Sequence, residues 1–272
     1  MIDEHGISAL NNLVLNFALP ATILYGLQKP ADAQLVHDLI LVFVCTCALL
    51  ILCSVIAFGC FFREPAERRS VLTNLSTFSN CAFMGYPVIT ACLGEDVLIY
   101  AVMFNGAFSL MSWTLGAFVF GGMKAVQPRR LFANPSLIAV LLGLVLFMTG
   151  LELPSFINKA LSLMGDTTTP LAMFVIGARL INIRLSHFTD KSLLLACLLR
   201  LVIFPAAVLL LRLTSLSPVV INTLYICTAM PGAALTAMQS ELFRCDSSLA
   251  SRGVAISTAF SLVTLPLMLL LV

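Results

Sequence analysis

Charged side chains are scarce in this sequence. They make up 10% of its 272 residues, against about 25% in soluble domains. Apolar residues reach 60% and the mean hydropathy is +1.04. A soluble fold of this length would have too few charges to cover its surface and too much apolar area to hide. The shortage excludes soluble enzymes, nucleic-acid binders and secreted disulfide scaffolds, and leaves a polytopic membrane protein. Histidine is equally thin: His5, His37 and His187 fall in loops or at helix ends, so no metal site is expected. No nucleophile motif, phosphate-binding glycine loop or nucleotide fingerprint appears. That argues against an enzyme, an ATP-driven pump or a resident cofactor. Residues 1–5 lack the basic stretch that opens a signal peptide. Nine cysteines are present, but none repeats a C-x-x-C spacing and most lie inside apolar runs, so they read as small buried apolar residues.

What is abundant is long apolar runs. Cut where charges and turn residues cluster, they give nine spans, near 7–26, 35–61, 70–93, 97–121, 134–150, 155–182, 190–212, 218–241 and 249–272. Alternating their ends gathers Arg63, Arg68, Arg69, Lys124, Arg129, Arg130, Arg184, Lys191, Arg244 and Arg252 on one side. The other side keeps Lys29, Lys159 and Arg212 with the acidic Glu95, Asp96 and Glu152. The positive-inside rule then predicts a cytoplasmic N-terminus and an outside C-terminus.

The chain also repeats itself. Asn16-Phe17-Ala18-Leu19-Pro20 in the first span matches Asp166-Thr167-Thr168-Thr169-Pro170 in the sixth, each with a polar residue four places before a proline. The following spans correspond in order: long helices, then interrupted segments around Pro87 and Pro231, then closing helices. The first span runs outward and the sixth inward, so the copies, 1–133 and 134–272, are inverted. The second copy opens with a helix near 134–150 that the first lacks, so the plan is four plus five helices where five plus five is expected. The fold class is therefore an all-α polytopic membrane protein built from two inverted repeats with two proline-broken crossover helices.

Those two interrupted spans are where substrate chemistry is expected. Proline lacks an amide and crowds the preceding turn, and the freed backbone groups are tolerable in a membrane only inside protein or along a wet cavity. Matched breaks in an inverted repeat point to a substrate site, and half-helix N-termini there favour an anion. The candidates are Asn80, Gly85 and Pro87 in the third span and Met230, Pro231 and Gly232 in the eighth. Pro20 and Pro170 are expected to break the first and sixth spans. Asp166, read as the one carboxylate deep in a span, is the candidate for proton or sodium coupling; a static cap on the neighbouring threonines is the alternative. Arg200, the one basic residue deep in a span, is expected to pair with a carbonyl at a break, with substrate, or structurally.

On these stretches the sequence resembles the auxin efflux carrier family, especially its short bacterial members, the malonate-transporter-like permeases. The matching segments are 15–24 with its Ala-Leu-Pro, 80–87, Asn134-Pro135-Ser136, 169–180 with Pro-Leu-Ala, Met230-Pro231 and 257–267 ending in Thr-Leu-Pro. The resemblance implies ten helices in two inverted five-helix repeats, and an elevator-like movement of a transport part (35–121 and 190–272) against a scaffold part (1–30 and 134–183). It also implies an organic acid anion as substrate, such as malonate, malate or an auxin-like acid. The short stretch near 122–133 favours a bacterial inner-membrane permease in contact with lipid, with a homodimer as the expected assembly. The helix missing from the first copy would belong to the scaffold and the dimer contact. The alternatives are a sodium-coupled bile-acid-type symporter and, from another class, a non-transporting sensor or degenerate paralogue.

Overall fold

The structure, a computed structural model, describes residues 4–28, 32–127, 129–130, 133–180 and 190–272. Lys29, Arg184 and His187 of the sequence reading lie outside the described residues. All regular structure among the described residues is helical apart from one isolated bridge. We number the helices as follows: α1 over 4–26, α2 Ala33–Cys60, α3 Ala66–Thr77, α4 Gly85–Leu93, α5 Glu95–Lys124, α6 Pro135–Thr149, α7 Ser155–Asp166, α8 Thr168–Leu180, α9 Lys191–Leu213, α10 Pro218–Ala229, α11 Ala234–Leu242 and α12 Ser247–Leu269. Each expected span falls on one helix or on a broken pair. Among the described residues, α2, α5, α9 and α12 are long and apolar enough to cross a membrane. α6 is 15 residues, about 22 Å at 1.5 Å per residue, short of a hydrocarbon core of about 30 Å.

Side chains placed at the turns start these helices. Asp32, Asn134, Asp190, Ser217 and Asp246 each accept a hydrogen bond from an amide of the first turn of α2, α6, α9, α10 and α12, which satisfies donors that have no intrahelical partner. Pro135 and Pro218 follow two of these caps, where a missing amide costs nothing.

Prolines deeper in the helices act differently from the sequence expectation. Pro20 does not break α1. A wide π turn, Val14–Ala18, precedes it and the helix runs through, because the wider turn relieves the clash that the ring would make with a carbonyl four residues back. α9 uses the same device, with a π turn at Leu199–Ile203 ahead of Pro205. In the sixth span the chain does break, but at Thr167, and Pro170 lies in the first turn of α8. There its missing amide would have had no partner.

α2 buries Leu39, Val42, Thr46, Leu50, Cys53 and Ala57, at helical spacing, and turns Ile40, Val44, Ile51, Leu52 and Val55 outward. Apolar exteriors of this kind, among them those on α2 and on α6 with Leu142, Val145 and Met148, suit contact with lipid. The first half of α1 packs on α8 and its second half on α7, an antiparallel pairing of the two proline-bearing spans. In the middle, α3 packs against α2 and also against α9, α11 and α12, while α10 packs against α9 and also against α2, α4 and α5. These reciprocal contacts bring the ends of α3 and α10 together.

Candidate functional site

The third and eighth spans both lose their helix in the middle, and the two gaps meet. α3 ends at Thr77 and the chain is extended at Phe78. α10 ends at Ala229, and Met230 and Ala233 are extended. The two stretches run antiparallel and pair at Ser79 and Gly232. The Asn80 amide donates to the Pro231 carbonyl at 2.7 Å, and the Ala233 amide donates to the Phe78 carbonyl at 2.9 Å. Pro231 has no amide to lose, so it fits a position where only its carbonyl is used. The Gly232 amide donates to Ser257 Oγ of α12 at 3.1 Å. This exchange satisfies backbone groups that the broken helices leave free, as a low-dielectric interior requires.

α4 and α11 resume the spans on the far side. The Asn80 carbonyl accepts from the Met84 and Gly85 amides at 3.2 and 3.3 Å, and α4 begins at Gly85. Pro87, expected to cause the break, is instead the third residue of α4, where an amide has no intrahelical partner. The break lies upstream of it, at 78–84. Gly85 is not required by sterics: a Cβ there would make ordinary contacts, 3.6 Å from Met230 Cγ and 3.8 Å from Cys81 Cβ. Gly232 is tighter, because a Cβ there would lie 2.5 Å from Leu75 Cδ1 and 3.2 Å from Ser257 Oγ, so the buried Leu75 would have to move.

Arg200 reaches the same place from the π turn of α9. Its side chain is 1% exposed. Nη1 donates to the Ser76 and Thr77 carbonyls at 3.1 and 2.6 Å, and Nη2 donates to the Thr228 carbonyl. One guanidinium thus caps the last turn of α3 and the last turn of α10 together. It forms no ion pair among the described residues. Its Nε carries no hydrogen bond, and nor does the buried Thr228 Oγ1 beside it. Cys81 Sγ donates to Asn105 Oδ1 at 3.7 Å. The crossover therefore ties Asn80 to Pro231 by a backbone bond beside the Ser79–Gly232 bridge, with Arg200 bonded by its side chain to the ends of α3 and α10, the buried Met230 next to Gly85, and Gly85 and Pro87 starting the adjoining helix.

Asp166 is not brought to this place. It is exposed at the end of α7, next to Thr22 Oγ1, which donates to the Gly165 carbonyl at 3.3 Å and lies 2.9 Å from Thr168 Oγ1. Among the described residues the buried carboxylate is a different one, Asp38. Asp38, in the second turn of α2, is 6% exposed. It accepts from Gln34 Nε2 at 3.0 Å and from Ser217 Oγ at 3.2 Å, and His37 Nδ1 lies 3.6 Å away. The available signal was its place three residues inside an apolar run, opposite a helix-starting Ser-Pro.

Comparison with known proteins gives this geometry its context. The family profile described as membrane transport protein matches residues 1–126 and 122–269. An uncharacterized transporter of Methanocaldococcus jannaschii is 28% identical over 279 residues, covering 97% of this chain and 89% of that protein. An uncharacterized transporter of Methanothermobacter thermautotrophicus is 29% identical over 278 residues, with 98% and 89% covered. The uncharacterized transporter YfdV of Escherichia coli is 23% identical over 279 residues, with 95% and 86% covered.

Proposed function

The chain belongs to the membrane transport protein family, the auxin efflux carriers and their relatives, and from this premise we propose that it carries a small organic acid anion by alternating access. It is a multi-pass membrane transporter. The anion is a dicarboxylate such as malonate or malate, or an auxin-like acid. The observation that carries this reading is the pairing of two broken helices at Ser79 and Gly232. Four half-helix ends converge there, and the N-termini of α4 and α11 turn partial positive charge toward a bound anion. The substrate contacts are Asn80, Gly85, Pro87, Met230, Pro231 and Gly232, with Arg200 behind them.

The division into a transport part, 35–121 with 190–272, and a scaffold part, 1–30 with 134–183, is supported by the packing of α1 on α6, α7 and α8, with Val14 and Ala172 meeting the crossover at Phe83. Movement of the first part against the second is the elevator step. The reciprocal contacts of α3 and α10 support inverted copies. The membrane is the bacterial inner membrane, with the arginine-rich side cytoplasmic. Asp38 joins Asp166 as a candidate for proton coupling, being the carboxylate that is buried.

Purified protein in lipid vesicles tests the reading. Labelled malonate is expected to accumulate down its gradient, and both Asn80→Ala and Pro231→Ala are expected to reduce the rate at least tenfold while the protein remains folded. Absence of flux across a broad panel of mono- and dicarboxylic acids sinks the proposal. A strict sodium requirement would replace it with the bile-acid-type symporter.

A further inference from the structure

The crossover contains four helix ends, and they do not all favour the same ion. α4 and α11 begin there and offer amide ends, while α3 and α10 stop there and offer carbonyl ends. Each N-terminus is worth about +0.5 of a charge and each C-terminus about −0.5. Two of each cancel. A crossover made of backbone alone would be electrically balanced, with bare carbonyls at Ser76, Thr77 and Thr228 suited to a monovalent cation. Unwound carbonyls and half-helix C-termini are the groups that bind coupling cations in broken-helix carriers.

In this protein those three carbonyls are already occupied. Arg200 Nη1 takes Ser76 and Thr77 and Nη2 takes Thr228. The guanidinium is fully buried and makes no ion pair among the described residues, so its charge is set against the two carbonyl ends and nothing else there is anionic. The positive ends of α4, whose first amide is held by the Asn80 carbonyl, and of α11 then face no acidic side chain among the described residues. Two buried donors at this point, Arg200 Nε and Thr228 Oγ1, carry no hydrogen bond and keep the capacity to donate to an anion.

We infer that Arg200 is the residue that sets the charge selectivity of the crossover: it fills the cation position built by the ends of α3 and α10, and so makes the site accept an anion. This deepens the carrier reading and rests on it for the anion. Arg200 is a positioning residue, acting through backbone ends, and its removal is expected to reverse the ionic preference of the site instead of merely weakening it. An arginine that only braces the fold would lower stability in every salt alike.

The test is thermal unfolding of purified protein in detergent, with sodium chloride compared with choline chloride, and with and without malonate. Wild type is expected to be stabilised by malonate and to respond equally to the two chloride salts. Arg200→Gln is expected to lose the malonate response, with affinity at least tenfold weaker, and to gain a stabilisation specific to sodium. Arg200→Lys keeps the charge and is expected to hold malonate within about tenfold and remain indifferent to sodium. Sodium-specific stabilisation of wild type or of Arg200→Lys overturns the inference, as does an Arg200→Gln protein that folds and shows no sodium response. If Arg200→Gln does not fold, Arg200→Lys alone decides by the same criteria. The sodium comparison needs no substrate, so failure of malonate to bind wild type counts against malonate as the carried anion and leaves the cation position still decided by the salts.

Discussion

Leu75 and Gly253 meet across the crossover with no room between them for another atom. Leu75, on α3, is wholly buried, and a Cβ added to Gly253 of α12 would overlap its Cδ2. The other methyl faces Gly232, where an added Cβ would lie 2.5 Å away. Two glycines from the second half of the chain therefore form the slot for one leucine from the first. The side chain cannot retreat from one glycine without striking the other, so the slot fixes how closely α3 lies against α12 and against the Gly232 strand.

Gly253→Ala is accordingly expected to destabilise the protein by about 1–3 kcal/mol, the usual cost of overpacking. Leu193 Cδ1, 2.9 Å from the same added atom, blocks a sideways escape. Leu75→Ala leaves a cavity and costs about 2–5 kcal/mol by itself. Combined, the two changes should cost clearly less than their sum, because the cavity accepts the new methyl. Thermal unfolding in detergent measures all three; an additive result would show that Leu75 does not fill the slot.

Much of this crossover was legible in the sequence, and the part that was not has a physical reason. Matched prolines at 87 and 231 located both breaks, because a missing amide is a property of the residue itself. The exact place of the break was not readable from Pro87. Proline tolerates a helix start as well as it ends one, and only the Ser79–Gly232 pairing, a contact between residues far apart in the chain, decides between them. Pro20 was misread for a related reason: a π turn can absorb a proline without a break, and nothing in Val14–Ala18 announces one. Arg200 stood out as a charge in an apolar run, but its three carbonyl partners come from two other helices. The slot for Leu75 left no signal, since a glycine in a membrane helix has many uses.

Asp38 and Asp166 should separate cleanly when each is replaced by alanine. Asp38 is buried and holds Gln34 and Ser217, so losing it strands those donors and removes a tie between α2 and the start of α10, at about 1–3 kcal/mol. Asp166 is exposed, and a surface change of that kind falls within about 0.5 kcal/mol. Unfolding midpoints of the two variants give the order directly. A larger loss for Asp166→Ala would mean that the burial of the two carboxylates is the reverse of that described.

Ser257 should matter more than its neighbour Thr258. Ser257 Oγ accepts the Gly232 amide in the crossover and itself donates to the Val254 carbonyl at 3.0 Å. Thr258 Oγ1 donates only back along its own helix, to the Val254 carbonyl at 2.7 Å. Ser257→Ala therefore leaves a buried amide unsatisfied, at about 1–3 kcal/mol, and should speed amide hydrogen exchange in 230–233. Thr258→Ser, which keeps its bond, should leave exchange there unchanged. Equal exchange in the two variants would remove Ser257 from the support of the crossover.

Acid should weaken one cluster at the arginine-rich end of the molecule. Asp190, which precedes α9, accepts from the Ser192 and Leu193 amides at 3.1 and 3.2 Å and from Arg68 Nη2 at 2.7 Å. Arg68 Nε also holds Glu64 at 3.2 Å, and Glu64 accepts from Ser192 Oγ. Burial alone would push the Asp190 carboxyl upward, but the Arg68 hydrogen bond, the two amides and the Arg68 charge together outweigh it and hold the group below the usual carboxylate range. A carboxyl lowered in the folded state binds protons more readily when unfolded. Its stabilisation is complete above about pH 4, the ordinary aspartate value, and is lost as pH falls through the lowered folded value. The side chains of Arg68 and Asp190 are 30% and 21% exposed, so solvent screening keeps the effect to about 1 kcal/mol or less. Arg68→Gln should flatten the decline of the unfolding midpoint between about pH 5 and pH 3, and Asp190→Asn should flatten it further by removing the titrating group. Superimposable acid curves for wild type and Asp190→Asn would mean that the cluster contributes nothing through this carboxylate.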